Sequence, residues 1–342
     1  MKAIVWNGPE KMGIEEVPEP NVGPGLVKLR PTATGICGSE IEGYLGRMGN
    51  RTPPLVMGHE FAGIVTEVGE GVDEALIGQT VAVNPLYGDG TCRLCRAGMT
   101  NLCKDRHLVG IHSSGGFGEY TLAPAHNVYP LPEGADARTG ALAEPLANGV
   151  HAVRLGLAGG YGVESAIVIG AGTIGLMCLQ AAILDGIPNV HAIEPHEARR
   201  EQALSLGATA VHASGEETNA ALDDVTDGLG VDLVLDAAGA EVTRRMALDL
   251  LRPGGRVVYV GLHDDDTTLG FHGVVRGQFT LQGSYAYTAP DYEQALEWLI
   301  SGKAGIGELP PVLPLEDGPD IFAELTRGPS AQIKVFLAEA GS

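Results

Sequence analysis

A chain of two α/β parts, a loop-rich β region and a doubly wound parallel sheet, is what the 342 residues predict. Three observations lead there. Near residue 165 the texture changes from short alternating apolar runs broken by Gly and Pro to a repeating order of apolar strand, glycine turn and helix. The apolar run Ala166-Ile167-Val168-Ile169 leads directly into Gly170-Ala171-Gly172-Thr173-Ile174-Gly175 and then a helix. The loops before residue 145 carry nearly every candidate metal ligand, among them Cys37, His59, Glu60, Glu144 and the cluster from Asp89 to Cys103. A chain this long exceeds the size at which one core splits, so two domains are the expectation.

Composition narrows the function. Forty-three acidic against 22 basic side chains give a formal net charge of -21. Such a surface repels phosphate backbones and anionic membranes, which argues against nucleic-acid or membrane partners and for a small-molecule one. Met1 to Trp6 reads as a strand, no signal peptide is evident, and no run of about 18 apolar residues occurs. A cytoplasmic protein is expected. Of five cysteines, three lie between Cys92 and Cys103. In a reducing compartment that spacing points to metal and not to a disulfide framework.

In the first region, Leu26 to Pro31 and Thr80 to Val83 are typical short strands. In the second, parallel strands are expected at Ala166 to Ile169, Val190 to Ile193, Ala210 to His212, Asp232 to Leu235, Arg256 to Val260 and Phe279 to Gln282. Helices are expected at Ile174 to Leu184 and Glu197 to Leu206, and an amphipathic one at Asp291 to Ile300. A closing strand, Ile333 to Leu337, is expected to rejoin the first region. The boundaries that follow are 1–147 with 285–342 for the catalytic part and 148–284 for the nucleotide part.

The glycine turn is a dinucleotide site in full context. Gly170 makes the turn, Gly172 lets backbone amides approach a pyrophosphate and Gly175 allows close helix packing, with Thr173 and Ile174 opening the helix. Glu194 ends the second strand, where a carboxylate accepts hydrogen bonds from the adenosine ribose hydroxyls and repels a 2′-phosphate. NAD is therefore expected over NADP. Arg199 and Arg200 either line a solvated helix face or supply one stacking partner for the adenine.

The metal reading starts from Gly58-His59-Glu60, because a His and a Glu side by side before an apolar strand are costly to bury without a cation. Cys37, in Gly35-Ile36-Cys37-Gly38-Ser39-Glu40, offers a thiolate on a glycine-freed loop. Glu144, an acid in an apolar stretch, is the further candidate ligand; its alternative role is an N-capping acid for the next helix. Glu60 is then a nearby or exchanging ligand, Ser39 the group placed to take a proton, and Glu40 a partner for the His59 ring. A second set, Asp89, Cys92, Cys95 and Cys103, has the spacing of a closed structural zinc site. Cys178 lies in the nucleotide-region helix and reads as core.

Together these residues resemble the zinc-containing medium-chain dehydrogenase/reductase superfamily over the whole chain. Gly58 to Val72 is similar to its zinc signature, Gly170 to Gly175 to its cofactor loop, and Leu251-Arg252-Pro253-Gly254-Gly255-Arg256 to a recurrent turn. The resemblance implies a GroES-like β-rich catalytic domain split around a Rossmann domain, an active site in the cleft between them, and hydride transfer between an alcohol and nicotinamide. It also implies a homodimer or homotetramer paired through the last strand of the nucleotide sheet. Glu144-Pro145-Leu146 resembles the branch of sorbitol, threonine and butanediol dehydrogenases. Three residues depart from that pattern: Asp89 replaces the first lobe cysteine, Glu42 stands where a relay histidine is usual, and Ala286 replaces a polyol-gripping arginine although the substrate-side Tyr287 is kept.

The function expected is oxidation of a secondary alcohol, a polyol or vicinal diol, by NAD. Cys37, His59 and Glu144 hold a Lewis-acid zinc that lowers the alcohol's pKa, and Ser39 passes the proton outward through the ribose hydroxyls. The alternatives are carbonyl reduction, or action on an amino-cyclitol or a hydroxy amino acid such as threonine. A non-catalytic, crystallin-like nucleotide-binding protein would be expected to lose Cys37, His59, Glu60 and Glu144, all of which are present.

Overall fold

The computed structural model describes residues 1–159, 162–213, 221–222, 226–328 and 332–339. They form two compact units, Met1–Glu144 with Thr288–Ser342, and Pro145–Tyr287.

The first unit is built on a seven-stranded sheet, in which Thr121–Pro124 pairs with the start of Leu26–Gly35 off the main path. Its spine is the antiparallel pair Leu26–Gly35 and Glu60–Val68, flanked on one side by Thr80–Val83 and Val128–Pro130. On the other side lie Phe336–Ala338 and Val312–Pro314, so the C-terminal segment does return to this unit. The closing strand starts at Phe336, three residues later than the apolar run suggested, because its partner leaves the sheet. Phe336 faces Gly35, and beyond Gly35 the chain turns into the helix Gly38–Tyr44. Val27, Leu29, Phe61, Val65, Val81 and Val83 make one apolar core of this unit. Val27 and Leu29, and likewise Val81 and Val83, stand two apart and so share one face of the sheet.

The second unit carries six parallel strands in the order Ala210–His212, Asn189–Ile193, Ser165–Ile169, Val231–Asp236, Leu251–Tyr259, Thr280–Gly283. The order reverses at Ser165–Ile169, which is the switch point where a doubly wound sheet takes its dinucleotide. The fifth strand starts earlier than expected. Val231 faces Leu251 while Leu233 faces Arg256, so the Arg-Pro-Gly-Gly segment bulges out of a ladder that continues on both sides of it. No helix among the described residues is long and apolar enough to cross a membrane.

Candidate active site

Sheet register brings the metal-binding residues together. Gly35 pairs with Glu60 across the antiparallel spine, which sets Cys37, two residues on, beside the start of the strand that His59 precedes. The sulfur of Cys37, a ring nitrogen of His59 and a carboxylate oxygen of Glu60 all lie within 4.8 Å of one another. Gly35 has no room for a side chain, since a Cβ there would fall 2.6 Å from Glu60 Oε2 and 3.1 Å from Lys334 Cδ. Gly58, at φ +103°, is equally constrained: its Cβ would meet the backbone nitrogens of Phe117 and Gly116 at 2.8 and 2.9 Å.

Glu40, fully buried, fastens the two segments. Its Oε2 accepts from the Cys37 N–H at 3.1 Å, and its Oε1 accepts from the N–H groups of Gly58 at 2.8 Å and His59 at 3.1 Å. The same Oε1 lies 2.8 Å from His59 Nδ1. Burial alone would raise the Glu40 carboxyl, but the adjacent imidazole and the backbone donors hold it below the usual range. An Nδ1–H bonded to Glu40 leaves the lone pair of the His59 ring on Nε2, the tautomer a metal needs.

Two further residues enter this site that the sequence did not single out. Lys334 Nζ donates to Glu60 Oε2 at 2.5 Å and to the Ile36 carbonyl at 3.1 Å, and all of it is buried. Burial would lower its ammonium, but the charge of Glu60 and then of Cys37 raises it above the ordinary value. A lone basic residue in the apolar run Ile333 to Leu337 was the available signal, since a buried lysine must find an acid. Arg51, also buried, donates from Nη2 to Ser39 Oγ at 3.3 Å and from Nη1 to Asn50 Oδ1 at 3.2 Å. Its stem crosses Gly43, where a Cβ would lie 2.8 Å from Arg51 Cδ. No sequence pattern announced it.

Ser39 donates to the Cys37 sulfur at 3.4 Å. Glu42 sits on the same short helix but is tied to Arg47 at 3.3 Å on an exposed surface. Glu144 is buried in the first turn of the helix Ala143–Leu157 and is not brought into the Cys37–His59–Glu60 group. Burial pushes the Tyr292 hydroxyl up, with Tyr129 and then the charge of Glu144 adding to it, and Glu144 also adds to the raising of Lys334 after Glu60 and Cys37. Tyr287 is almost wholly buried at the end of the second unit.

The second metal set is closed. Ligand atoms of Asp89, Cys92, Cys95 and Cys103 lie within 4.8 Å of one another, with the Cys92 and Cys103 sulfurs 3.8 Å apart. Zn–S bonds of about 2.3 Å in a tetrahedron set sulfurs about 3.8 Å apart, so the spacing suits zinc. Backbone N–H groups of Cys92 and Thr91 hold the Asp89 carboxyl down to about 2, while desolvation and then the Cys92 thiol push Cys95 up to about 12. Four acidic groups so crowded are relieved by a cation. Gly88 makes the space, since a Cβ there would lie 2.5 Å from the Cys95 sulfur.

In the second unit the glycine turn has the shape a pyrophosphate needs. Gly170 takes φ +90°, a Cβ on Gly175 would lie 1.7 Å from the Gly170 carbonyl oxygen, and one on Gly172 would meet nothing within 4 Å. Gly172 caps the helix Thr173–Leu184 without a side chain, leaving its N-terminus open to an anion. Glu194, buried, accepts from the N–H groups of Ala171 at 2.9 Å and His196 at 3.0 Å. Arg200 donates to the carbonyls of Glu194 and Pro195 at 2.9 and 2.6 Å, while Arg199 lies half-buried beside it on the helix Glu197–Ser205.

A thiol, imidazole and carboxylate set in a β unit, with a glycine turn at the switch point of a doubly wound sheet, defines the class of zinc- and dinucleotide-dependent oxidoreductases. Family models agree: residues 23–133 match the alcohol dehydrogenase GroES-like domain and residues 173–301 the zinc-binding dehydrogenase domain. The chain is 33% identical to an L-threonine 3-dehydrogenase of Caldanaerobacter subterraneus subsp. tengcongensis over 86% of this chain and 85% of that one. It is 32% identical to a sorbitol dehydrogenase of Halalkalibacterium halodurans, covering 89% of each. A solved structure, described as a short chain alcohol dehydrogenase from E. coli CFT073 complexed with NADH, superposes with TM-score 0.89 at 27% identity over 99% of both chains. The chain belongs to the zinc-containing medium-chain dehydrogenase/reductase family, in its polyol dehydrogenase branch, with a GroES-like domain and a Rossmann-like sheet. It is an oxidoreductase acting on alcohols.

Proposed function

We propose that this enzyme oxidises a secondary alcohol bearing a neighbouring hydroxyl, a polyol or vicinal diol, with NAD as acceptor. The observation that carries the reading is the convergence of Cys37, His59 and Glu60 with Glu40 fixed behind the imidazole. When bound, zinc supplies Lewis acidity toward an alcohol oxygen and NAD supplies the hydride acceptor. Cys37 and His59 hold the metal, with Glu144 as third protein ligand and Glu60, restrained by Lys334, as an exchanging one. The Glu60–Lys334 bond supports that division, because one oxygen of Glu60 is already engaged. Asp89, Cys92, Cys95 and Cys103 hold a second, structural zinc.

Ser39 relays the alcohol's proton: its Oγ accepts that proton as its own O–H proton passes outward to the ribose hydroxyls. Arg51 donates to the same oxygen and holds the hydroxyl in place. Glu42, the other candidate for that relay, is paired with Arg47 at 3.3 Å. Gly170 to Gly175 seat the pyrophosphate, and Glu194 turns its carboxylate to the ribose hydroxyls, which favours NAD over NADP. Tyr287 lines the substrate side.

A hydroxy amino acid is the second reading, favoured by several L-threonine 3-dehydrogenases at 33–35% identity. Five unpaired cysteines, four of them in the two metal sets, support a reducing, cytoplasmic setting. Association into a dimer or tetramer through Thr280–Gly283 is supported by its place at the sheet edge and by the exposed Phe271 and Val275 beside it. NADH formation measured over diols, polyols, amino-cyclitols and threonine tests the reading. Turnover of primary monoalcohols alone would overturn it.

A further inference from the structure

The second unit contains a polar cavity of about 420 Å³ that the proposed reaction does not use. It lies where Val231–Asp236, Leu251–Tyr259 and Thr280–Gly283 begin, whereas the glycine turn follows the end of Ser165–Ile169. A parallel strand of this length spans about 17 Å, so the two places are at opposite ends of the parallel strands.

Three guanidinium groups line it, those of Arg252, Arg256 and Arg276, against a single carboxylate, Asp232. In a chain with 43 acidic and 22 basic residues, that is a local reversal of charge. Asp232 is already spent. Its Oδ1 accepts from Arg252 Nε at 2.5 Å, and its Oδ2 accepts from the Glu164 N–H and from the Ser165 N–H and hydroxyl, each at 2.9 Å. Arg252 is thereby neutralised, and Arg256 and Arg276 are left as cations without a facing acid among the described residues.

Arg256 is held in place for a ligand. Its Nη1 donates to the Leu155 carbonyl at 2.6 Å, and its Nη2 occupies the space a side chain at Gly159 would need, 2.5 Å from that Cβ position. Gly159 has φ +135°, so glycine is favoured there on both counts. Arg276 makes no hydrogen bond or ion pair to any described residue and is exposed. A guanidinium held by a backbone carbonyl and a second, exposed one, lining a cavity large enough for more than one phosphate group, make an arrangement for oxyanions, because planar N–H forks match phosphate oxygens in pairs.

We propose that this cavity binds a small phosphate-bearing anion, independently of the dinucleotide site. The test uses the full zinc-loaded chain saturated with NAD, so that the glycine turn is filled, titrated with inorganic phosphate at constant ionic strength and followed by calorimetry and thermal melting. Saturable binding is expected, with the melting point rising as ligand is added. Arg276→Gln should weaken it about tenfold and Arg276→Glu should abolish it, with NAD affinity unchanged in both. Arg276 is exposed in the single chain, so neither variant threatens the fold, and because it adjoins Val275 at the proposed subunit contact each variant is compared with the parent at the same oligomeric state. Absence of saturable binding in the parent chain, or phosphate affinity unaltered in Arg276→Glu, overturns the proposal.

Discussion

Lys334 Nζ and Glu60 Oε2 lie 2.5 Å apart, both buried, at the junction of the C-terminal segment and the metal-binding strand. The pair links the last strand of the first unit to its candidate catalytic centre, so the return of the chain contributes charge as well as apolar area. Removing one partner of such a pair leaves an uncompensated buried charge, at about 3–5 kcal/mol. Lys334→Met should therefore lower the melting point of the chelator-treated protein sharply, and added zinc should restore more stability than it adds to the parent chain. The double variant Lys334→Met, Glu60→Gln should recover part of the loss. If the loss in the double variant equals the sum of the losses in Lys334→Met and Glu60→Gln alone, the two side chains are not energetically coupled.

Cys37→Ala should abolish NADH formation while leaving NAD binding measurable, since Cys37 and the glycine turn belong to different units. Glu144→Gln and Glu60→Gln separate the two carboxylates. If Glu144 is the third protein ligand, its variant loses catalytic zinc on dialysis and Glu60→Gln retains it. Retention of zinc by Glu144→Gln with loss from Glu60→Gln would reverse the two roles.

Much of this was legible in the sequence because it rests on local chemistry. The strand, glycine turn and helix from Ala166 to Leu184 are readable from apolar runs and from the close approach that only glycine permits at Gly175. His59 beside Glu60 is costly to bury without a partner, and Glu40 lies three residues after Cys37 on one helical turn. Arg51 was not legible as a site residue, and for Lys334 the apolar run around it signalled only burial, not which acid it meets. Arg51 reaches Ser39 over Gly43, and Lys334 reaches Glu60 across 274 residues of chain. Strand ends were also set by partners: Phe336 starts a strand only where Gly35 is there to pair with it.

The Asp89 lobe should hold metal despite having one carboxylate among three thiols. Elemental analysis of the purified chain is expected to return about two zinc per chain, falling to about one in Cys103→Ser. Catalytic activity should survive in that variant better than thermal stability does, because a closed site staples a loop and offers no place for substrate. A parent chain with one zinc would show the lobe to be metal-free.

Asp232 gives a pH signature of the second unit. Burial would raise its carboxyl, but the Arg252 guanidinium and the N–H groups of Glu164 and Ser165 outweigh that and hold it below the ordinary value. A carboxyl depressed in the folded state contributes stability that is fully present above its unfolded pKa of about 3.9 and is lost as pH falls through the lower folded value. Asp232→Asn should therefore melt at a lower temperature than the parent near neutral pH, since hydrogen bonds to a charged group contribute about 1.5–3 kcal/mol each. As pH falls below about 4, the two melting curves should converge as the parent carboxyl takes up its proton. A gap that stays constant over that range would mean that the ion pair with Arg252 adds nothing to the fold and that Asp232 acts there through its shape alone.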